Sequence, residues 1–426
     1  MLQQYFSKLK AFEPLLWIYY IWYYLPIART FFRSSTYNYI FFAFFIFAVL
    51  LCFVYAIVTV RSVKVDYNLL TPILIYMAVF LLLVLMGTST AGKHIRISFT
   101  FWGTLIVYYL TKPYPDSQKR LSGLFLTMFF VTALTSLIGV IMNPNAARLL
   151  AYASNEIEED LIVRMLNIGG IAFFQGLVVC VPLLITFAKR NRFKIFSLVF
   201  ICMIFVSLIS ASFAISLLMF VIAVFFGLLS NAKSYKTVTK FCMGLLVVLL
   251  LVFVPWSNVF SFLAEVVPNE RISVRFESIA VSLKEGLVGG SLNARWQTYL
   301  ISINTFLEHP LGIGPHYTYV TMENGIGYHS QILDDLARYG ILAIVFYIAF
   351  FVGYYKLLCQ QWKKIDMKHI AFPVLAVYFL FLCLNPGFTS EHEGVLMLFV
   401  IPVLPEMLLN VDANSITGLL LKRRKV

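Results

Sequence analysis

Apolar stretches recur along nearly the whole chain, and short polar segments separate them. Most stretches approach the ~20 residues that an α-helix needs to cross the hydrocarbon core of a bilayer. The pattern therefore predicts membrane-spanning helices rather than the core of a soluble domain. It indicates twelve spans, at residues 15–33, 37–60, 69–86, 97–110, 121–141, 168–188, 193–209, 212–230, 240–256, 340–358, 370–384 and 394–410.

Two of these stretches have internal features that affect the count. The first is aromatic, contains Pro26 and lacks a small-x-small cleavage site, so it predicts a kinked span rather than a signal peptide. Residues 193–230 form one apolar run that is too long for a single crossing. We expect this run to fold back at Ser210-Ala-Ser212.

The amino-acid composition agrees with this pattern. The chain is 61% hydrophobic and 12% charged, contains 41 Phe, and has a mean hydropathy of +0.86. Soluble domains do not have such values. The sequence thus predicts an all-α polytopic membrane protein in which residues 1–426 form one integral membrane domain.

The distribution of charge predicts the orientation of the spans. If the N-terminus is cytoplasmic, about two thirds of the 33 Lys and Arg residues lie on the cytoplasmic side, and most of the 20 Asp and Glu residues lie outside. This is the positive-inside pattern, and it places both termini in the cytoplasm. The net charge of +13 then reflects orientation and contact with anionic lipid. Nucleic-acid binding is not indicated.

The longest polar segment, residues 257–339, lies between the ninth and tenth spans and is predicted to be extracytoplasmic. A connection of this length usually has a function. Two apolar patterns at helical spacing predict helices in it. The first could lie on the membrane surface or pack over the bundle, and it comprises Ile272, Phe276, Ile279, Ala280, Leu283 and Leu287. The second comprises Trp296, Tyr299, Leu300, Ile303 and Leu307.

The end of this loop, GYHSQILDDLARYG (residues 327–340), gathers polar groups directly before the tenth span. Ser330 or His329 can cap a short helix that begins near Gln331. Asp334 and Asp335 have the spacing for local pairing with Arg338. A solvated helix cap and a chemical role for His329 are both compatible with this pattern.

The order of motifs in the loop resembles the signature of the O-antigen polymerase and ligase superfamily. The motifs are Arg295-Trp296, then His309-Pro-Leu-Gly-Ile-Gly314, then His329-Ser-x-x-Leu333, and then Gly340-Ile341. Pro310 ends the preceding helix, and Gly312 and Gly314 permit a tight turn with close backbone approach. The twelve-span layout with a large loop after the ninth span is also similar to this family.

The resemblance implies transfer of a glycan from undecaprenyl pyrophosphate to a sugar hydroxyl, without a metal or other cofactor. It implies that His329 is the general base and that Arg295 holds the pyrophosphate. Histidine can accept a proton near neutral pH, and arginine presents a planar set of donors to phosphate oxygens. Arg295 could instead anchor the loop at the lipid headgroups.

The chain departs from the family at a second arginine. Many members carry an arginine after the serine-rich break between spans seven and eight, whereas this chain has Ser210-Ala-Ser212-Phe213. Arg164, at the mouth of the sixth span, is the predicted substitute, followed by Arg96 and Arg275. Arg271 and Arg338 are weaker alternatives.

Other histidines carry less weight. His309 is expected at a helix end, and His316 and His94 are candidates for contact with sugar or phosphate. The segment SEHEG (residues 390–394) does not provide metal ligands at a usual spacing, so no metal site is predicted.

Three classes of function remain open from the sequence. The favoured one is a polymerase of O-antigen, capsule or exopolysaccharide in the bacterial cytoplasmic membrane, with its active site on the outer side. A ligase that transfers glycan to lipid A-core or to protein uses the same donor site. A flippase for the lipid-linked oligosaccharide is the non-enzymatic alternative. The expected partners are that lipid-linked oligosaccharide, membrane lipid, a chain-length regulator and a flippase.

Overall fold

The structure is a computed structural model that describes most of the chain. The described residues are 12–32, 35–59, 103–112, 114–143, 149, 162, 165–189, 194–211, 214–230, 256–266, 270–284, 290–314, 325–385 and 395–405. Within them every regular element is a helix.

The helices are numbered in chain order. In the first part of the chain they are α1 (Phe12–Tyr24), α2 (Pro26–Phe31), α3 (Ser35–Thr59), α4 (residues 103–111), α5 (Pro115–Met142), α6 (Ile171–Val179), α7 (Val181–Lys189), α8 (Lys194–Ser210) and α9 (Ala214–Ser230). In the second part they are α10 (Trp256–Val266), α11 (Glu270–Lys284), α12 (Gly290–Glu308), α13 (Gln331–Tyr339), α14 (Ile341–Trp362) and α15 (Ala371–Leu384). Two 3₁₀ turns, Lys363–Ile365 and Lys368–Ile370, join α14 to α15, and a π-helical segment spans Leu396–Val400.

Three helical stretches in the described residues are long and apolar enough to cross a membrane. They are Asp116–Met142, Ile171–Lys189 and Ile341–Trp362. Shorter apolar helices accompany them at Tyr39–Tyr55, Lys194–Ser210, Ile215–Ser230 and Lys368–Leu384. The prediction of an all-helical membrane protein is confirmed for this part of the chain.

The number of spans stays a prediction. The predicted span 69–86 and all of the predicted span 240–256 except Trp256 lie outside the described residues, so the structure does not test the number twelve. The extracytoplasmic position of residues 257–339 and the cytoplasmic position of the termini also stay predictions.

Helices α6 and α7 form the centre of the bundle. Every residue from Phe173 to Phe187 is buried, because α8, α9 and α15 pack around this pair. The peripheral helices α3, α5, α8 and α14 instead expose large apolar side chains, including Leu50, Ile138, Val199 and Ile348. Contiguous exposed apolar surface is unusual for a soluble monomer, whereas in a membrane protein it faces lipid.

Two local predictions of the bundle are confirmed. The chain breaks before Pro26, because Leu25 is extended (φ −94°, ψ 110°) between α1 and α2. The long apolar run turns at Ala211, after α8 ends at Ser210 and before α9 begins at Ala214. Pro26 therefore marks the boundary between α1 and α2, and the small residues near Ser210 mark the boundary between α8 and α9.

An ion pair links the start of α1 to the start of α5. The guanidinium of Arg120 donates to both carboxylate oxygens of Glu13, at 2.9 and 2.7 Å. The hydroxyl of Ser117 also donates to Glu13. Glu13 is buried, so these donors replace the water that its charge would otherwise require.

Four helices, α10 to α13, lie in the described part of the long polar segment, residues 257–339. Helices α10 and α11 pack against each other, and the ring of Phe276 lies 5.7 Å from that of Phe260. Part of the predicted apolar stripe of α11 thus packs on α10, where Ala280 is buried as well. Helix α11 also contacts α12, and α12 contacts α13.

Candidate active site

The segment that carries His329 ends as the N-terminus of α13. Ser330 is extended (φ −140°, ψ 120°), and its hydroxyl accepts a hydrogen bond from the Leu333 amide at 3.2 Å. This is an N-cap, which typically contributes about 1 kcal/mol to helix stability. Of the two predicted caps, Ser330 is the one used, and His329 precedes it with a half-buried side chain.

A buried carboxylate holds the backbone on both sides of His329. Asp334 accepts hydrogen bonds from the Tyr328 amide at 3.2 Å, from the Ser330 amide at 3.3 Å and from the Ser302 hydroxyl at 2.7 Å. Burial raises its pKa, while the Ser302 hydrogen bond and the charge of Arg338 oppose the increase. The turn before α13 is thereby joined to α12.

The second aspartate has different partners. Asp335 accepts from the Tyr347 hydroxyl at 2.6 Å, from the side-chain amide of Gln331 at 2.8 Å and from the Arg338 guanidinium at 3.2 Å. The predicted pairing with Arg338 is confirmed for Asp335. Asp334 instead accepts hydrogen bonds from the turn and from α12, because adjacent residues of a helix face different directions.

The residue before His329 has a strained backbone. Tyr328 has φ +60°, a conformation that bulky L-residues rarely adopt. The Arg338 guanidinium carbon lies 5.4 Å from the centre of the Tyr328 ring, within cation–π range. Such strain persists only where surrounding contacts enforce it, and it is frequent at functional sites.

Helix α12 supplies one polar face to the site. Arg295, Tyr299, Ser302 and Thr305 follow one another at spacings of one helical turn. Ser302 also accepts from the Gly327 amide at 2.9 Å. The Thr305 hydroxyl accepts from the Gly325 amide and donates to the Gly325 carbonyl. The loop from Gly325 onward therefore follows this face.

The helix that this apolar pattern predicts is present as α12. Trp296 and Leu307, two residues of the pattern, are 45% and 67% exposed. Ile301, Ser302 and Thr305 are buried instead. The hydroxyl groups face the protein because they satisfy loop amides and carbonyls there.

The structure brings Arg295 and His329 together. The positive charge of Arg295 acts on the imidazole, so burial and this charge both lower the pKa of His329 from its usual 6.5. Among the described residues none forms a hydrogen bond with that imidazole. A histidine in this environment is neutral at pH 7 and can accept a proton.

The end of α15 completes the surroundings of Arg295. Its guanidinium donates to the Asn385 side-chain oxygen at 3.5 Å, and the hydroxyl of Tyr299 donates to the Leu384 carbonyl at 3.0 Å. The Asn385 carbonyl also accepts from the Gln331 amide at 3.3 Å. Helices α12, α13 and α15 thus meet around the His329 and Arg295 pair.

The other predicted arginines are not all placed. Arg164 and Arg96 lie outside the described residues, and Arg275 and Arg271 lie in α11, where the backbone is described but their side chains are not. Arg338 lies against Tyr328, next to His329. A second arginine for the pyrophosphate stays a prediction.

A backbone clasp fixes the far end of α13. The Ile313 and Gly314 amides donate to the Ala337 and Arg338 carbonyls, both at 2.9 Å, and the Ile341 amide donates to the Pro310 carbonyl at 2.9 Å. Gly312 and Gly340 have positive φ values of 87° and 60°. The predicted close approach after Pro310 is confirmed, and the motif satisfies carbonyls at the end of α13.

Of the remaining histidine candidates, only His309 lies in the described residues. His309 is exposed at the end of α12, as predicted. His316, His94 and residues 390–394 lie outside the described residues. Within the part of the chain that the structure describes, no three His, Cys, Asp or Glu side chains form a group that could hold a metal ion.

Comparison with known families identifies this region. Residues 196–348, from α8 into α14, match the family model described as O-antigen ligase. This match supports the O-antigen ligase and polymerase superfamily. The match spans the clasp, the polar face of α12 and the His329 turn, and it confirms the resemblance that the motifs indicated. No curated protein matches the chain.

Members of this superfamily are glycosyltransferase-like enzymes that act on lipid-linked oligosaccharides in membranes. The apolar helices of this chain agree with that setting. Arg295, Ser302, His329 and Asp334, which line the candidate site, all fall within the matched residues 196–348.

Proposed function

We propose that the protein is a polysaccharide polymerase that transfers a growing glycan from undecaprenyl pyrophosphate to a hydroxyl of a lipid-linked repeat unit. The observation that carries this proposal is the juxtaposition of His329, with its lowered pKa, and the permanently charged Arg295. Transfer of a glycosyl group from pyrophosphate to a hydroxyl uses a neutral base to accept the hydroxyl proton and a fixed cation to stabilise the departing pyrophosphate.

In the proposed reaction His329 accepts the proton of the acceptor hydroxyl. The oxygen then forms a bond to the anomeric carbon of the donor sugar, while the bond from that carbon to the pyrophosphate oxygen breaks. The leaving group carries away the electron pair as undecaprenyl pyrophosphate. Arg295 stabilises the negative charge that develops on it, an electrostatic contribution that often dominates catalysis. The proton leaves His329 to solvent.

The site residues lie together where α12, α13, the start of α14 and the end of α15 meet. This placement supports chemistry at one end of the bundle over passage through it, because a transporter for charged lipid-linked sugar needs polar groups along its path. We propose that this end is the outer face of a bacterial cytoplasmic membrane. A flippase and a chain-length regulator are then partners of the polymerase.

A ligase is the second candidate, because the matching family model is described as O-antigen ligase. The donor half of the reaction is the same in both, and only the acceptor differs. The two are separated by supplying the full-length protein in liposomes with lipid-linked repeat units alone. A polymerase yields a ladder of glycan lengths on undecaprenyl pyrophosphate, whereas a ligase yields product only when lipid A-core or an acceptor protein is added. Movement of the lipid-linked sugar across the liposome without any new bond would contradict both.

The pH profile provides a prediction for Arg295. Because burial and the Arg295 charge lower the pKa of His329, the acid limb of kcat/KM in the wild type should lie below pH 6.5. In Arg295→Gln one of these two causes is absent, so the limb should move to higher pH. In Arg295→Lys the charge is kept and the limb should stay, while loss of the planar donor set raises KM for the donor in both variants.

The measurement is the initial rate of glycan transfer between pH 5 and pH 8, with the substrate concentration varied at each pH. An acid limb that is unchanged in Arg295→Gln would contradict a direct electrostatic effect of Arg295 on the general base. An unchanged KM in both variants would contradict its role as a pyrophosphate ligand.

A further inference from the structure

The contacts of Asp334 connect the two residues assigned to chemistry. Asp334 is only 2% exposed, and its carboxylate accepts hydrogen bonds from one hydroxyl and two backbone amides. The hydroxyl belongs to Ser302, two helical turns after Arg295 on the same helix. The amides belong to Tyr328 and Ser330, the residues on either side of His329.

The turn has little freedom to move along α12. The Gly327 amide donates to the Ser302 hydroxyl, and a Cβ on Gly327 would lie 2.0 Å from the Thr298 carbonyl oxygen. Tyr328 is strained at φ +60°. Without an acceptor at Asp334, two buried or half-buried amides would lose their partners and the strained turn would relax.

We propose that Asp334 is a positioning residue for the general base: it clamps the His329 turn to α12 and so keeps the imidazole in register with Arg295. This inference rests on the proposed function, because it assigns Asp334 a role in the same reaction. Asp334 acts through the backbone of its neighbours and does not contact the substrate.

The chemistry of the three contacts requires a carboxylate. All three partners are donors, and a carboxylate has two accepting oxygens with room for several hydrogen bonds. An asparagine amide has one accepting oxygen and an NH₂ group that only donates. In Asp334→Asn at least one donor should therefore face another donor, and the turn should lose its fixed geometry.

Asp335 provides a matched control. It is the neighbouring residue, it is fully buried, and it accepts from Gln331, Arg338 and Tyr347 side chains. Asp335→Asn removes the same charge from the same helix without removing an acceptor from the Tyr328 or Ser330 amides. Effects that follow only from the loss of a buried carboxylate should appear in both variants.

Hydrogen–deuterium exchange of the full-length protein tests the clamp without relying on activity. In Asp334→Asn the amides of Tyr328 and Ser330 should exchange roughly 5-fold faster or more, as expected when a hydrogen bond worth about 1 kcal/mol is lost. In Asp335→Asn the same amides should keep wild-type exchange. Equal exchange at these amides in wild type and Asp334→Asn would overturn the proposal.

Kinetics with lipid-linked repeat units test the link to His329. In Asp334→Asn kcat should fall by roughly 10- to 100-fold, because a displacement of about 1 Å at a reacting group can cost ~100-fold, while KM stays within about 3-fold. In the His329→Ala background, measured over long incubations, Asp334→Asn should cause no further loss. Additive losses, or an equal fall of kcat in Asp335→Asn, would show a merely structural role and overturn the proposal.

A second variant keeps the test decisive if Asp334→Asn does not fold. Ser302→Ala removes the hydroxyl that joins Asp334 and Gly327 to α12 and keeps the charge of Asp334. It should raise amide exchange at Tyr328 and Ser330 and lower kcat, each by a smaller factor than Asp334→Asn, and wild-type values of both would overturn the clamp.

Failure of the proposed function can be told apart from failure of this inference. If His329→Ala polymerises normally, the proposed function fails. If His329→Ala is inactive and both clamp variants resemble wild type, only the inference on Asp334 fails.

Discussion

His329→Ala is expected to lower the rate of glycan transfer by roughly 100- to 10,000-fold, the range that general acid–base catalysis typically contributes. The acceptor hydroxyl would then have to lose its proton to water instead of to a base held in the site. KM for the lipid-linked donor should change little, because Arg295 and its contact with Asn385 are retained. The rate is measured as polymer formed by the full-length protein in liposomes.

His309→Ala is the matched control for this variant. His309 lies in the same matched domain and carries the same side chain, but it is exposed at the end of α12. Its replacement should leave the rate within about 2-fold of wild type, as expected for a surface substitution. Thermal unfolding in detergent should be similar for wild type and both variants, because His329 is only half buried. A folded His329→Ala protein that polymerises at the wild-type rate would contradict the assignment of the general base.

The bundle could be predicted from the sequence because lipid imposes simple rules on it. Every backbone group in the hydrocarbon must be paired within the chain, so long apolar stretches form helices. Pro26 and the small polar residues near Ser210 interrupt these helices where the structure interrupts them. The number of spans is less accessible, since apolar runs vary in length and two predicted spans lie wholly or almost wholly outside the described residues.

The candidate site was only partly predictable. His329 and Arg295 were proposed from the order of motifs, and in the structure the charge of Arg295 acts on the His329 imidazole. The polar face of α12 was not predicted, because the sequence marked this helix only by its aromatic and aliphatic residues. A signal was present, since Arg295, Tyr299, Ser302 and Thr305 recur at one helical turn, but hydroxyl groups on a helix do not by themselves indicate which face is buried.

The two aspartates show why a sequence pattern cannot assign such roles. Both have helical spacing that permits contact with Arg338, which makes them equivalent in a local interpretation. The fold separates them, because one meets Ser302 of α12 and the His329 turn, while the other meets Tyr347 of α14. Ser302 and Tyr347 are distant in sequence from the aspartates, and the His329 turn is an irregular loop. The local spacing of charged residues therefore does not predict these contacts.

Gly340→Ala is the second substitution from which we expect a large effect. Gly340 has φ +60° and ψ −143°, and a Cβ would lie 2.1 Å from the Pro310 carbonyl oxygen. The strain costs roughly 1–3 kcal/mol, and loss of the hydrogen bond from the Ile341 amide to Pro310 adds about 1 kcal/mol. The variant should unfold at clearly lower temperature in detergent and should polymerise poorly even when folded, because α13 would shift relative to α12.

Gly325→Ala separates this effect from the general consequence of replacing a loop glycine. The nearest atom to a Cβ on Gly325 is Cγ2 of Ile301 at 4.0 Å, an ordinary contact. Its stability should stay within about 0.5 kcal/mol of wild type. Equal unfolding temperatures for the two variants would contradict the clasp. A Gly340→Ala protein that is destabilised yet fully active would instead show that the clasp stabilises the fold without orienting α13. His329 and Asp334 would then be positioned by α12 alone, through Ser302.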